Sequence, residues 1–293
     1  MISEVEFLEI PIKNENEILG WEVHIEDPIT KVLSGGSSSS IDIARKIALC
    51  EYKERTEVAK LSKSDGGTLK SFALDRFNST CGFACGFDSR KTRLRSLCEG
   101  LERWAIANWI DRELFIPQIK EDSEGFGQIS PIAQHYLRSF IKSHFFRKTF
   151  SLSFSNGLAQ SAFPCVVDIH VSIFLGETEK GVFVGSRANL LKENIWEHEI
   201  VEAFRNLENF SRSEKGLLEV DSSNIYANRV LFFGRNKKVA FSQIASCKKK
   251  DWPSPQILVH KEVPLPESGF FVWRTLFADY IHWCEGPSDR FVL

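Results

Sequence analysis

The chain repeats one arrangement of residues, first in GGSSSSIDIARKIALCEYKER (residues 35–55) and again in STCGFACGFDSRKTRLRSLCEGLER (residues 79–103). Each copy places a stretch of small residues before a helical run that ends in Glu-x-x-Glu-Arg. Glu residues three apart lie on one face of an α-helix, and the Arg follows one step around it. The repetition therefore predicts two similar helices, each with two acids and one base close together.

We expect the acids of these two helices to meet in one cleft: Glu51, Glu54, Glu99 and Glu102. At close range, each contact between like charges costs roughly 4 kcal/mol at an effective dielectric near 20. A cation is then expected between them, and hard divalent metal ions that also hold phosphate oxygens are the commonest solution. The alternative is ordinary solvated surface, where Glu51 and Arg55 form a weak helical ion pair.

The composition is that of an ordinary globular protein. The 293 residues are 43% hydrophobic and 26% charged, and 37 basic against 39 acidic residues give a net charge of −2. This balance argues against a dedicated nucleic-acid binder. Seven cysteines, an odd number without a regular spacing, indicate reduced thiols. Because neither a signal peptide nor a membrane-spanning apolar run is present, we expect a soluble, cytoplasmic protein.

Hydrophobic periodicity predicts an α+β fold, with mixed β-sheets flanked by helices, in a single domain over residues 1–293. The first 30 or so residues are interpreted as N-terminal strands or a dimer arm. Helices are predicted over 41–62, 89–109 and 192–210. Strands are predicted near 21–25, 29–33, 68–74, 150–154, 163–175, 181–184, 257–259 and 270–277, with a hairpin at 230–241 around Gly234-Arg235-Asn236.

Other kinds of site are poorly supported. The chain contains neither Gly-x-x-x-x-Gly-Lys-Ser/Thr nor a Gly-x-Gly-x-x-Gly after a strand, which argues against P-loop and Rossmann enzymes. The serines at 37–40 can equally cradle phosphate or cap a helix. Cys98 and His198 lack the signature of a nucleophile and its base. A two-carboxylate hydrolase leaves the arginines and the repetition unexplained, and the Cys81–Cys85 pair lacks partners for a zinc site.

The repeated segments resemble the motifs of the YcaO family of ATP-dependent enzymes that modify peptide backbones. The family's first motif is similar to residues 35–55, with Ala48 where Ser is usual, and its second is similar to residues 80–86 and 99–103. Its third motif is similar to residues 185–189 and 199–205. Residues 269–274 are similar to the strand whose Arg approaches phosphate. The similarity extends in the same order over about residues 30 to 290.

The resemblance implies an α+β YcaO-like fold with an internal pseudo-repeat and a site for ATP and Mg²⁺. The acids implied to bind Mg²⁺ and phosphate are Glu51, Glu54, Glu99, Glu102 and Glu202. The residues implied to neutralise the phosphates are Arg103 and Arg274. No catalytic side chain is identified by the resemblance.

The implied reaction begins with attack on a backbone amide carbonyl by a Cys, Ser or Thr side chain or by an external nucleophile. ATP then phosphorylates the oxygen, which leaves as phosphate. We expect cyclodehydration to an azoline in a ribosomally made peptide. The alternatives are thioamide or amidine formation, or a non-catalytic scaffold in a modification complex. A homodimer is also implied, and a leader-peptide-binding partner protein is expected because no leader-binding domain precedes residue 30.

Overall fold

A computed structural model describes residues 5–15, 17–27, 33–63, 71–74, 79–111, 114, 129–154, 165–190, 195–216, 225–247, 251–265 and 269–280. The strands in these ranges are β1 (Leu8–Asn14), β2 (Glu17–Glu26), β3 (Leu33–Ser38), β4 (Phe83–Gly86), β5 (Lys142–Phe154), β6 (Cys165–Glu177), β7 (Val182–Asn189), β8 (Ile257–Val263) and β9 (Phe271–Phe277). The helices are α1 (Ile41–Leu61), α2 (Ser89–Asp111), α3 (Pro131–Leu137), α4 (Ile195–Glu214), α5 (Ile225–Arg235) and α6 (Lys237–Ser246).

The chain divides into two compact units. The first comprises residues 1–100, 130–135 and 257–276, and the second comprises residues 101–129, 136–256 and 277–293. Helix α2 contributes residues up to Gly100 to the first unit and residues from Leu101 to the second. The single domain expected from the sequence stays a prediction.

In the first unit, an antiparallel sheet with the order β1-β2-β3 packs on α1. Val23 and Ile25 point to the same face of β2 and are buried against Ala44 and Ala48 of α1. A Cβ atom at Gly36 of β3 would lie 2.4 Å from the backbone oxygen of Ala44, so α1 rests directly on this strand. A second sheet of the same unit has the order β4-β9-β8.

The second unit contains an antiparallel sheet with the order β5-β6-β7 and helices on both faces. On one face, α4 lies close to β7, since a Cβ atom at Gly185 would be 2.0 Å from the backbone oxygen of Glu199. On the other face, Trp109 of α2 packs in a core with Ile173 and Val184. Alternate residues of β7 therefore face α4 and α2.

Most of the predicted elements are confirmed. The α+β class is correct, the three predicted helices correspond to α1, α2 and α4, and strands are present near 21–25, 150–154, 163–175, 181–184, 257–259 and 270–277. The strand predicted near 68–74 is wrong for residues 71–74, which contain no strand, and residues 68–70 lie outside the described residues. Of the strand predicted at 29–33 only Leu33 is described, and it begins β3. The N-terminal residues form β1 and β2, as one interpretation expected. The internal pseudo-repeat stays a prediction. No helix within the described residues is both long enough and apolar enough to cross a bilayer.

The predicted hairpin at residues 230–241 is wrong, because this segment forms helices α5 and α6. Its Val and Phe residues favour strands locally, but Phe233 and Ala240 are buried in the core of the second unit. The sequence predicts Gly234 as a turn residue, but it lies in α5. Its structural reason is packing, since a Cβ atom there would lie 2.3 Å from the ring of Phe210.

Candidate functional site

Glu51 of α1 is held by two hydrogen bonds. The backbone N–H of Gly35 in β3 donates to Oε2 at 2.8 Å. The guanidinium of Arg55, one helical turn further on, donates to Oε1 at 2.5 Å. The ion pair expected for a solvated helix face is therefore present, but the carboxylate is also fixed against the neighbouring strand.

Glu54 lies one turn from Glu51 on α1, and the surrounding protein raises its pKa well above the ordinary value of 4.5. Burial is the largest cause, followed by the negative charges of Glu99 and Glu51. The positive charges of Arg95 and Arg55 offset this only in part. Acids of the two repeated segments therefore influence one another in the first unit, and ionisation of Glu54 is costly without a further cation.

In the second unit, Glu102 of α2 is anchored to strand β7. Its side chain is only 3% exposed. The hydroxyl of Ser186 donates to Oε1 at 2.6 Å, and the backbone N–H of Ala188 donates to Oε2 at 2.8 Å. Both carboxylate oxygens of Glu102 thus already accept a hydrogen bond.

Glu202 of α4 is anchored to the same strand, since the backbone N–H of Ser186 donates to its Oε2 at 2.7 Å. The Arg103 side chain is 19% exposed, and its guanidinium lies close to both acids. Its Nη1 is 3.7 Å from Glu102 Oε1, and its Nη2 is 3.9 Å from Glu202 Oε1. Two acids and one base are therefore brought together at β7.

Glu199 belongs to the same helix but was not selected as a site residue from the sequence. It is fully buried, and neither carboxyl oxygen has a hydrogen-bond partner among the described residues. Burial raises its pKa, Ser172 and Arg147 lower it in part, and Glu102 and Glu202 raise it further. The sequence feature that points to Glu199 is its spacing, because Glu199 and Glu202 repeat the Glu-x-x-Glu pattern of the other two helices.

Arg274 lies on β9 in the first unit and is only 2% exposed. Its guanidinium donates to the backbone oxygen of Ala73 at 3.2 Å and lies 4.6 Å from the ring centre of Phe83. A third contact joins it to the backbone oxygen of Ser79 at 3.5 Å. These contacts join β9 to the chain before β4, and the role of Arg274 toward phosphate stays a prediction.

The predicted residues thus occupy two sets. Glu51, Glu54 and Glu99 interact in the first unit, and Glu102, Arg103 and Glu202 interact in the second. Carboxylates beside arginines fit the chemistry of a magnesium-bound phosphate, and the raised pKa of Glu54 is the cost that a bound cation would relieve. Within the described residues, no group of three or more His, Cys, Asp or Glu side chains is spaced to hold a metal ion. Coordination of Mg²⁺ stays a prediction.

No protein-family model and no curated protein sequence matches the chain. Several solved structures have a similar fold. A heterocyclase in complex with substrate and cofactor aligns with a TM-score of 0.57 at 13% identity, over 95% of this chain and 50% of that one. The present chain therefore spans half the length of that heterocyclase.

Two further structures align over most of both chains. One belongs to the E. coli microcin synthetase McbBCD complex with pro-MccB17 bound, with a TM-score of 0.57, 13% identity, and 92% and 86% coverage of this chain and that one. The other is YcaO from Methanopyrus kandleri bound with AMPPCP and Mg²⁺, with a TM-score of 0.56, 10% identity, and 96% and 87% coverage. The chain therefore has the fold of YcaO and heterocyclase proteins.

Proposed function

We propose that this chain, which has the YcaO fold, binds ATP with Mg²⁺ and activates a backbone amide of a peptide by phosphorylation. The most specific form of the proposal is cyclodehydration of a Cys, Ser or Thr residue to an azoline. Thioamide or amidine formation uses the same activated amide and is the alternative reaction. When bound, ATP supplies the phosphoryl group that turns the amide oxygen into a leaving group.

The observation that carries the proposal is the environment of Glu54. This acid is half-buried beside two other acids, and burial and their negative charges raise its pKa, so its ionised form lowers the stability of the folded chain. Such costly acids are typical of functional sites. A bound cation that interacts with Glu54 would offset the cost, which supports Mg²⁺ as a ligand.

The residues proposed to bind Mg²⁺ are Glu51, Glu54, Glu99, Glu102 and Glu202. Hydrogen bonds from strand backbones already orient three of them, because Gly35, Ser186 and Ala188 donate to their carboxylates. Donors of this kind fix the direction of metal-binding oxygens and increase affinity. Both oxygens of Glu51 and both oxygens of Glu102 already accept a hydrogen bond, so a bound ion would share these oxygens with their donors.

Arg103 and Arg274 are proposed to neutralise the phosphates. The position of Arg103 supports this role, because its side chain is partly exposed and its guanidinium lies within 4 Å of both Glu102 and Glu202. A guanidinium presents several donors that match phosphate oxygens. Arg274 is supported only by the sequence resemblance.

A peptide substrate and a partner protein are also proposed. The similar microcin synthetase is a complex with pro-MccB17 bound, which supports a precursor peptide and at least one further protein. A leader-peptide-binding partner and a homodimer remain part of this proposal.

The test is incubation of the purified protein with ATP, Mg²⁺, candidate precursor peptides and candidate partners, followed by phosphate assay and mass spectrometry. Loss of one water from the peptide would indicate an azoline, and replacement of oxygen by sulfur would indicate a thioamide. Glu54→Gln should lower phosphate release by at least about 100-fold. Glu57→Gln, on the same helix, should retain it.

Failure of the wild-type protein to release phosphate with any peptide and partner would contradict the enzymatic proposal. Peptide binding without turnover would then indicate the scaffold function. Equal losses in Glu54→Gln and Glu57→Gln would show that the effect is not specific to the acid at position 54.

A further inference from the structure

Glu102 of α2 and Glu202 of α4 approach β7 from opposite faces of one sheet. Ser186 is paired with Ile173, and Arg187 with Ser172. Because neighbours along a strand point to opposite faces, Ser186 shares a face with the Ile173 core on the α2 side. Gly185 points to the other face, against α4. Glu102 and Glu202 therefore both reach β7, the edge strand of this sheet, from opposite faces.

Ser186 donates hydrogen bonds to both acids at this edge. Its hydroxyl donates to Glu102 Oε1 at 2.6 Å, and its backbone N–H donates to Glu202 Oε2 at 2.7 Å. The side chain is fully buried, so the hydroxyl has little freedom to choose other acceptors. The separation of the two carboxylates is thus set by the short distance between the two donors of one residue.

Arg103 does not fix the two acids in the same way. Its closest nitrogen atoms are 3.7 Å from Glu102 and 3.9 Å from Glu202, which is beyond hydrogen-bond distance. The guanidinium attracts both negative charges, but the donors of β7 orient the two carboxylates. Loss of the Ser186 hydroxyl would leave Glu202 anchored while Glu102 lost one of its two described donors.

We propose that Ser186 is a positioning residue that holds Glu102 and Glu202 at the separation needed for metal–nucleotide binding. The inference rests on the proposed function, because it concerns the same acids. Outer donors of this kind commonly change metal affinity by 10-fold to 100-fold when they are removed. The backbone donor remains in any non-proline variant, so a substitution of Ser186 tests the hydroxyl alone.

Ser172 offers a matched control. It lies on the adjacent strand, is equally buried, and points to the opposite face. Its hydroxyl has no hydrogen-bond partner among the described residues. Ser172 lies near Glu199, whose pKa it lowers. Removal of its hydroxyl therefore changes a buried serine beside a third acid of the same sheet and leaves the Ser186 donors to Glu102 and Glu202 in place.

The experiment measures binding of Mn²⁺ with a non-hydrolysable ATP analogue by electron paramagnetic resonance, together with thermal melting. We expect Ser186→Ala to weaken metal–nucleotide binding by about tenfold or more. Ser186→Thr, which keeps the hydroxyl, should stay within about threefold of the wild type, and Ser172→Ala should bind as the wild type does. Ser186→Cys, a variant of similar size with a weak donor, should lose affinity as Ser186→Ala does.

Wild-type affinity in folded Ser186→Ala would overturn the inference while leaving the proposed function intact. Should Ser186→Ala fail to fold, wild-type affinity in Ser186→Cys would overturn it in the same way. An equal loss in Ser172→Ala would also overturn it, since any buried serine of the sheet would then have the same effect. Absence of binding by the wild-type protein would overturn both the inference and the proposed function.

Discussion

At the scale of single residues, Glu54 and Glu57 show how neighbours decide the properties of an acid. The two residues are three apart on α1. Burial would raise the pKa of Glu57, but hydrogen bonds from Lys53 and Lys60 lower it overall. The charges that act on Glu54 are instead those of two acids and two arginines, and burial together with Glu99 and Glu51 raises its pKa. One acid is therefore stabilised as an anion and the other is not.

Glu54→Gln should increase the free energy of unfolding at pH 7 by on the order of 1 kcal/mol in the absence of nucleotide. Because the folded-state pKa is raised, the stability that Glu54 contributes is present below pH 4.5 and is lost as the pH rises through that pKa. The advantage of Glu54→Gln should therefore shrink as the pH falls toward 4.5. Urea unfolding at several pH values measures both effects.

The control for this prediction is Glu57→Gln, which removes a carboxylate paired with Lys53 and Lys60. This variant should be less stable than the wild type at pH 7. A decrease in stability in Glu54→Gln as large as that in Glu57→Gln would contradict the prediction.

At the scale of elements, both units place a helix against the third strand of an antiparallel sheet and bond a helical Glu to that strand. Gly35 of β3 donates to Glu51 of α1, and Ser186 of β7 donates to Glu202 of α4. Each pair is separated by 16 residues in the chain. In both cases the acid satisfies a backbone donor on a strand edge, which would otherwise need another partner.

Gly36→Ala should lower the free energy of unfolding by about 1–3 kcal/mol, because the added Cβ atom meets helix backbone that cannot move alone. That atom would lie 2.4 Å from the oxygen of Ala44 and 2.6 Å from the nitrogen of Ala48. Gly35→Ala is the matched control on the same strand. Its Cβ atom would lie 3.2 Å from the His24 ring, a side chain that can shift. Chemical denaturation compares the two, and equal stabilities would contradict the close packing of α1 on β3.

At the scale of the whole molecule, the proposed ligand should stabilise the folded chain. Any ligand that binds only the folded state at 100 times its Kd adds about 2.7 kcal/mol to the free energy of unfolding. We expect Mg²⁺ with a non-hydrolysable ATP analogue to raise the melting temperature accordingly. The analogue with EDTA should have a smaller effect, because the acids need the cation to accept phosphate oxygens nearby.

Glu54→Gln provides the contrast in this experiment. The variant should melt higher than the wild type without ligand, yet gain less from magnesium nucleotide. A ligand-induced increase equal to that of the wild type would show that the acid does not contribute to binding.

The amino-acid sequence by itself determined the α+β class, the positions of α1, α2 and α4, and the acids on their faces. These features depend on the spacing of residues within a few turns or one strand, which local periodicity reports. It also indicated the YcaO fold through ordered motifs, which the similar solved structures support.

Only the tertiary structure decided how those acids are held. Glu102 accepts hydrogen bonds from residues 84 and 86 positions away, and the helices at 225–246 form where local propensity favours a hairpin. Glu199 is missed for the same reason, since its burial without a hydrogen-bond partner among the described residues depends on the packing of β7 over α4. Contacts between distant segments arise from packing of the complete fold, so no local pattern reports them.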